Sequence, residues 1–273
     1  MAFLEGPITS LFGVKNKNTK KIAWVHTDIS RIFGDNFKAK VKQYLNRAIY
    51  NKYNKIVFVS KDSKEKFETV NPKIDKDKLE VIYNYINKDN VISMSQKEVE
   101  IPFKQDEINF VLAARLVQVK AIDRLIRVHE KLMKNNLKHQ IYILGDGPLK
   151  ESLQKQINDA KVNESFHLLG AKENPYPYIK SADYVCVLSY FEGYSMLCEQ
   201  AKILNKYVII TNTAAREAVQ NYKNSIILEN NEDAIYEGLK DIIENRQKYE
   251  SKVDTKEEYS NEKIIEQIKE IIG

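Results

Sequence analysis

The chain has 273 residues, 43% of them hydrophobic and 30% charged, a balance that gives one large or two smaller globular domains and leaves little room for disorder. A net charge of +5 suits polyanionic ligands or an anionic surface but is too small to argue for nucleic acid. The opening MAFLEGPITSLFG is not a secretory signal, no apolar run reaches the roughly 20 residues of a membrane span, and Cys186 and Cys198 lie in apolar contexts, so a reduced cytoplasmic protein is expected.

The first third is the less regular part. KIAWVHT (21–27), KIVFVS (55–60) and KLEVIYN (78–84) are apolar runs with the pattern of buried strands. DNFKAKVKQYLNRAIYNKYN (35–54) and SKEKFETV (63–70) read as helices between them. So few strands predict an incomplete α/β domain over 1–87. The stretch 35–55 also sets Lys38, Lys40, Lys42, Arg47, Lys52 and Lys55 around Phe37, Val41, Tyr44, Leu45, Ile49 and Tyr53. A core-packing helix with a solvated basic face accounts for that pattern, and so does a surface that meets anionic lipid. Residues 88–107, polar and without period, read as a linker.

From residue 108 the pattern becomes regular. INFVLAA (108–114), QIYILG (140–145), SFHLLG (165–170), YVCVLS (184–189), YVIIT (207–211) and SIILE (225–229) read as buried parallel strands. Amphipathic stretches such as 121–135 and 147–160 separate them, which predicts a doubly wound, Rossmann-like α/β domain over 108–252. The segment 253–273 ends in NEKIIEQIKEIIG, a helix whose isoleucine stripe needs a surface to lie on.

Ligands of open parallel sheets bind beyond the carboxyl ends of the strands, against helix N-termini. Four places fit. Arg115 and Lys120 bracket a strand end and a helix start, where they either meet a diphosphate or are simply solvated. LGDGPLK (144–150) reads as a structural turn with Pro148 near a helix start. It is neither a dinucleotide fingerprint nor a P-loop. In YFEGYSML (190–197), Gly193 lets the chain turn and Ser195 can cap the next helix, so the amides of Met196 and Leu197 would face an anion. Glu192 beside that anion is unfavourable unless it binds hydroxyl groups instead. The fourth place is His26, more often structural on residue type alone but set at a strand's carboxyl end. No metal-ligand spacing is present.

Together these motifs resemble the retaining glycosyltransferases of family four, which have the GT-B fold. The resemblance covers nearly the whole chain. It rests on AARLVQVKAIDRLI, ILGDGPLKESLQKQI, HLLGAKENPYPYIKSADYVCVLSYFEGYSMLCEQAKIL and VIITNTAAREAV in one half, and on KKIAWVHTD, VFVSKDSKEKF and VIYNYIN in the other. The nearest relatives by this resemblance are bacterial enzymes of capsular, exopolysaccharide and other surface glycans. It implies two Rossmann-like domains, a UDP-sugar donor, a glycan or lipid-linked acceptor, and no cofactor or metal. Arg115 and Lys120 would neutralise the donor diphosphate together with the amides of Met196 and Leu197. Glu192 and His26 would be the catalytic pair at the transferred sugar, with Gly193, Tyr194 and Ser195 in the sugar loop. Ala171 and Lys172 would seat the base.

Two departures qualify this reading. The family's second glutamate, eight residues after Glu192, is Gln200 here, with Glu199 beside it about 100° round the helix. Gln200 can still accept a ribose hydroxyl through its carbonyl oxygen, more weakly than a carboxylate. The front of the N-terminal domain, with its glycine-rich loop, is not matched, which would leave a sheet flank exposed or filled by a partner subunit. The expectation is therefore a hexosyltransferase, peripheral to the inner face of the membrane. The alternative is a non-catalytic or partner-dependent subunit that binds nucleotide or protein. A GT-B-shaped epimerase is a third reading, but no acid/base groups for it can be placed.

Overall fold

The computed structural model describes residues 2–3, 19–26, 48–100, 103–249 and 261–273. The chain divides into two units, Met1–Tyr85 with Ser260–Gly273, and Ile86–Tyr259.

In the first unit, β1 (Ala2–Phe3), β2 (Ile22–Val25), β3 (Lys55–Phe58) and, after helix α1 (Lys61–Val70), β4 (Leu79–Val81) form a parallel sheet in that order. Ser60 starts α1 by accepting a hydrogen bond from the amide of Ser63 at 3.1 Å. Phe67 of α1 then packs on Phe58 and, edge-on, on Tyr50. Tyr50 and Tyr53, at the end of the basic stretch 35–55, are buried. Residues 27–47, which carry most of that stretch, lie outside the described residues. The helix Glu262–Ile272 belongs to this unit; it buries Ile271 and donates from Gln267 Nε2 to the Val81 carbonyl at 3.4 Å.

The second unit begins where the sequence suggested a linker. Residues 88–107 instead open with helix α2 (Lys88–Met94), capped by Asn87, whose side chain accepts from the Asn90 amide at 3.0 Å. Val91 is buried, and Phe103 stacks on Tyr142 with ring centroids 4.0 Å apart. A capping asparagine and one buried valine are signals that a polar average hides.

The following elements alternate. They are β5 (Ile108–Ala113), α3 (Ile122–Lys134), β6 (His139–Leu144), α4 (Lys150–Asp159), β7 (Phe166–Leu168), α5 (Tyr176–Ser181), β8 (Tyr184–Val187), α6 (Met196–Ile203), β9 (Tyr207–Thr211), β10 (Ser225–Leu228) and α7 (Glu232–Glu244). The six strands form one parallel sheet in the order β10-β9-β8-β5-β6-β7. Its two faces carry separate cores. Phe110, Leu112, Ile141, Ile143, Cys186 and Ile209 pack on one side, and Val111, Tyr142, Leu144, Val185, Val208 and Ile210 on the other. Burial on both faces is why these strands read as unbroken apolar runs. Burial pushes the Cys186 and Cys198 thiols up, so both stay protonated and inert. Among the described residues no helix is long and apolar enough to cross a membrane.

Candidate functional site

Strand order reverses between β5 and β8, which are direct neighbours although two strands and three α-helices separate them along the chain. Loops diverge at such a switch point and leave a crevice. Here the crevice is a cleft of about 230 Å³ whose lining includes Ala114, Lys120, Ser189, Glu192, Tyr194, Met196 and Leu197.

The loop after β5 is moulded by the Gly-Asp-Gly-Pro turn. The Ala114 amide donates to the Leu144 carbonyl at 2.9 Å, the Leu116 amide to Asp146 at 3.0 Å, and the Leu149 amide back to Leu116 at 3.2 Å. A 3-10 turn, Gln118–Lys120, then ends at Ala121, whose φ of 54° swings the chain into α3. Lys120 points into the cleft and forms an ion pair with Glu192, the two side chains being 24% and 17% exposed. Arg115 does not join it. Its side chain is exposed, outside the cleft lining, and without an ion-pair or hydrogen-bond partner among the described residues. Of the two anticipated cations, Lys120 lines the cleft and Arg115 does not among the described residues.

The loop after β8 is held carbonyl by carbonyl. Leu188 accepts from Arg124 Nη2 at 2.8 Å, Ser189 from Thr211 Oγ1 at 2.9 Å, Tyr190 from Asn230 Nδ2 at 2.9 Å, and Glu192 from the Ala215 amide at 3.1 Å. Ser195 caps α6 by accepting from the Cys198 amide at 3.3 Å. The amides of Met196 and Leu197 open the helix without an intrahelical acceptor, and both residues line the cleft. Gly193 is a correction to the expected sharp turn. Its φ is not positive, and a Cβ there would meet nothing within 4 Å. Open space, not backbone strain, is what a glycine leaves at this point, between the cleft-lining Glu192 and Tyr194.

The neighbouring carboxylate and amide part company on α6. Glu199 is turned inward and only 4% exposed, accepting the Tyr194 hydroxyl at 2.6 Å and pairing with Lys202 at 2.9 Å. Lys202 also donates to the Ala218 carbonyl at 3.0 Å. These partners occupy Glu199 with holding Tyr194 in the cleft wall. Gln200, half-buried, has no side-chain hydrogen bond among the described residues and stays available to a ligand.

After β7, Gly170 (φ 73°) leads into Ala171 and Lys172, which line a second hollow of about 380 Å³ with Glu100 and Tyr178. Lys172 pairs with Glu100, and that pairing holds the carboxyl below and the ammonium above their ordinary ranges. Glu100 and Tyr178 were missed from the sequence, Glu100 because the segment carrying it read as linker. His26 stands at the carboxyl end of β2 in the first unit, half-buried.

Residues 93–259, more than half of the chain, match the family described as "Glycosyl transferases group 1". The N-acetylgalactosamine-N,N'-diacetylbacillosaminyl-diphospho-undecaprenol 4-alpha-N-acetylgalactosaminyltransferase of Campylobacter jejuni is 31% identical over 229 residues, 81% of this chain and 60% of that protein. TarM has the same fold with a TM-score of 0.76 at 21% identity, over 96% of this chain and 52% of its own. Anabaena Alr3699/HepE, solved in complex with UDP and glucose, has a TM-score of 0.73 at 14% identity, over 92% of this chain and 70% of its own. The chain spans about half the length of the curated relatives it matches. Its architecture is the α/β, GT-B-like fold expected from the sequence.

Proposed function

This chain belongs to the group 1 glycosyl transferases, and from that premise we propose that it moves a hexosyl unit from a UDP-sugar to a hydroxyl group with retained anomeric configuration. The carrying observation is the switch-point cleft, where Lys120, Glu192 and the free amides of α6 meet. In the reaction, the bond from the anomeric carbon to the phosphate oxygen breaks and a bond to the acceptor oxygen forms on the same face. The acceptor's proton passes to the departing phosphate oxygen, and UDP leaves. Lys120 and the helix amides stabilise the charge gathering on that phosphate without calling on a metal. Glu192, released from Lys120 as the phosphate takes the lysine, accepts sugar hydroxyls. Ala171 and Lys172 seat the base, and Gln200 takes the ribose. The acceptor class follows the Campylobacter relative, whose name carries a diphospho-undecaprenol saccharide. Surface-glycan assembly on a lipid carrier at the cytoplasmic face belongs to the same proposal.

Isothermal titration with UDP is the direct test, and absence of binding at millimolar ligand removes the donor-site assignment. Lys120→Ala should weaken UDP by about 1.5–3 kcal/mol, the worth of a charge-assisted hydrogen bond, and Arg115→Ala by less. Parent-like affinity in Lys120→Ala would leave the lysine without its role.

Gly193→Ala separates space from folding. With room for the methyl group and no positive φ, stability should stay within about 0.5 kcal/mol of the parent. Donor binding should still weaken, because the methyl group occupies room the sugar needs. Unchanged affinity for a UDP-sugar would put the sugar elsewhere.

One observation favours a second reading, a nucleotide-binding chain without turnover: the neutral amide of Gln200 where a carboxylate would hold ribose more firmly. Gln200→Glu should strengthen both UDP and uridine by about 1 kcal/mol. No gain for either ligand would move the ribose away from this position. Tight UDP binding with no product from a panel of UDP-sugars and lipid-linked acceptors would establish the second reading.

A further inference from the structure

Arg124, in the first turn of α3, is 3% exposed although it is charged. Its Nη2 donates to the Leu188 carbonyl at 2.8 Å, and its guanidinium lies 4.4 Å from the centre of the Tyr190 ring. Its Nε has no acceptor among the described residues. A buried guanidinium with an unsatisfied donor is a poor route to stability, since an apolar side chain of similar volume serves as well or better. What the arginine does that an apolar residue cannot is grip the loop after β8 at two points, a carbonyl and a ring.

Tyr190 extends that grip to the other loop. Its amide donates to the Val119 carbonyl at 2.9 Å and its hydroxyl to Asp123 Oδ2 at 3.3 Å. Val119 directly precedes Lys120, and Tyr190 stands two residues before Glu192. The segments carrying the two partners of the ion pair are therefore fastened by the Tyr190 amide, and Arg124 and Asp123 hold the side chain of the residue that donates it.

We propose that Arg124 and Tyr190 are positioning residues, a clamp that locks the 118–120 turn to the 188–192 loop and so sets Glu192 against Lys120. Its effect on nucleotide rests on the function proposed above; the clamp itself does not.

The test reads Lys120 directly. A brief pulse of an acetylating reagent, followed by mass spectrometry, compares Lys120 with Lys134, whose side chain is 71% exposed at the last residue of α3. In Tyr190→Ala, a change at a partly exposed ring, labelling of Lys120 relative to Lys134 should rise severalfold, and Arg124→Met should act the same way. Tyr190→Phe keeps the ring against Arg124, loses only the hydroxyl bond to Asp123, and should restore the parent pattern. UDP binding should fall about tenfold in Tyr190→Ala, as for a displaced binding group, and recover in Tyr190→Phe. Unchanged Lys120 labelling in both Tyr190→Ala and Arg124→Met overturns the proposal. So does an equal rise at Lys202 and Lys206, which would mean general loosening of the unit. If the parent binds no UDP while Lys120 is unmasked in the variants, the nucleotide assignment fails and the clamp stands.

Discussion

Gly145→Ala should destabilise the second unit by about 4 kcal/mol, from overpacking and from a backbone conformation closed to alanine, each worth about 1–3 kcal/mol. The φ of Gly145 is 152°, and a Cβ there would stand 1.9 Å from the Ala114 carbonyl oxygen and 2.9 Å from its carbon. Neither partner is free to yield. The Gly145 amide donates to Gly170 at 2.8 Å, and the Ala114 amide to Leu144 at 2.9 Å. Gly147 repeats the constraint more mildly, with its Cβ position 2.5 Å from the Leu116 carbonyl oxygen. Relief by displacement would push Ala114–Leu116 outward and take the Lys120 turn with it. Variant protein that still folds should accordingly lose UDP affinity along with its urea midpoint. A parent-like midpoint in Gly145→Ala would show that the turn is not the mould of the loop after β5.

That turn was readable as structural, and the reason separates what the sequence discloses from what it withholds. Strands β5, β6, β8 and β9 are buried on both faces, so each announces itself as an apolar run without reference to anything distant. Ser195 and Pro148 are local signals, a helix cap and a turn residue two positions before a helix, and their places at strand ends follow from chain order. Local pattern could not choose between Arg115 and Lys120. Both sit in one loop, and only the opposing carboxylate of Glu192, 72 residues away, draws Lys120 inward. Arg124 is hidden for the same reason. On the helix it looks like one more charge in an amphipathic stretch, and its burial depends on Leu188 and Tyr190. Glu199 and Gln200 differ by about 100° of rotation, enough to put one against Lys202 and the other towards solvent. The sequence left that choice open; the hydrogen bonds of Tyr194 and Lys202 assign Glu199 to the fold.

Acid should unfold the second unit over a range in which most of its carboxylates are still ionised. The cause is a chain of buried groups remote from the cleft. His139 Nδ1 lies 2.7 Å from the Leu137 carbonyl, so that nitrogen carries the proton. His139 Nε2 must then accept, which makes His129 Nδ1 the donor across 2.7 Å. His129 Nε2 accepts in turn from the Ser165 hydroxyl at 2.8 Å. With both rings neutral every donor in this chain has an acceptor, and the Ser165 hydroxyl has the Val162 carbonyl at 3.4 Å as a longer alternative. A further proton on His139 would face the N–H of His129, and one on His129 would turn the Ser165 hydroxyl away to the longer Val162 contact. Both rings are fully buried, and burial pushes His139 down to about 4 and His129 to about 2. Their folded values lie below the unfolded value of about 6.5, so the unfolded chain binds the extra protons. Stability is complete above pH 6.5 and falls as pH drops, until His139 charges in the native state near 4 and His129 lower still. Each ring contributes about 1.4 kcal/mol per pH unit in that window, so about 5 kcal/mol should be lost between pH 6.5 and 4.5. Urea denaturation across this range, followed beside the ring C–H resonances in NMR, measures the loss and its origin together. Native rings that titrate near pH 6.5, with a flat urea midpoint, would show that the two histidines are not held neutral by the core.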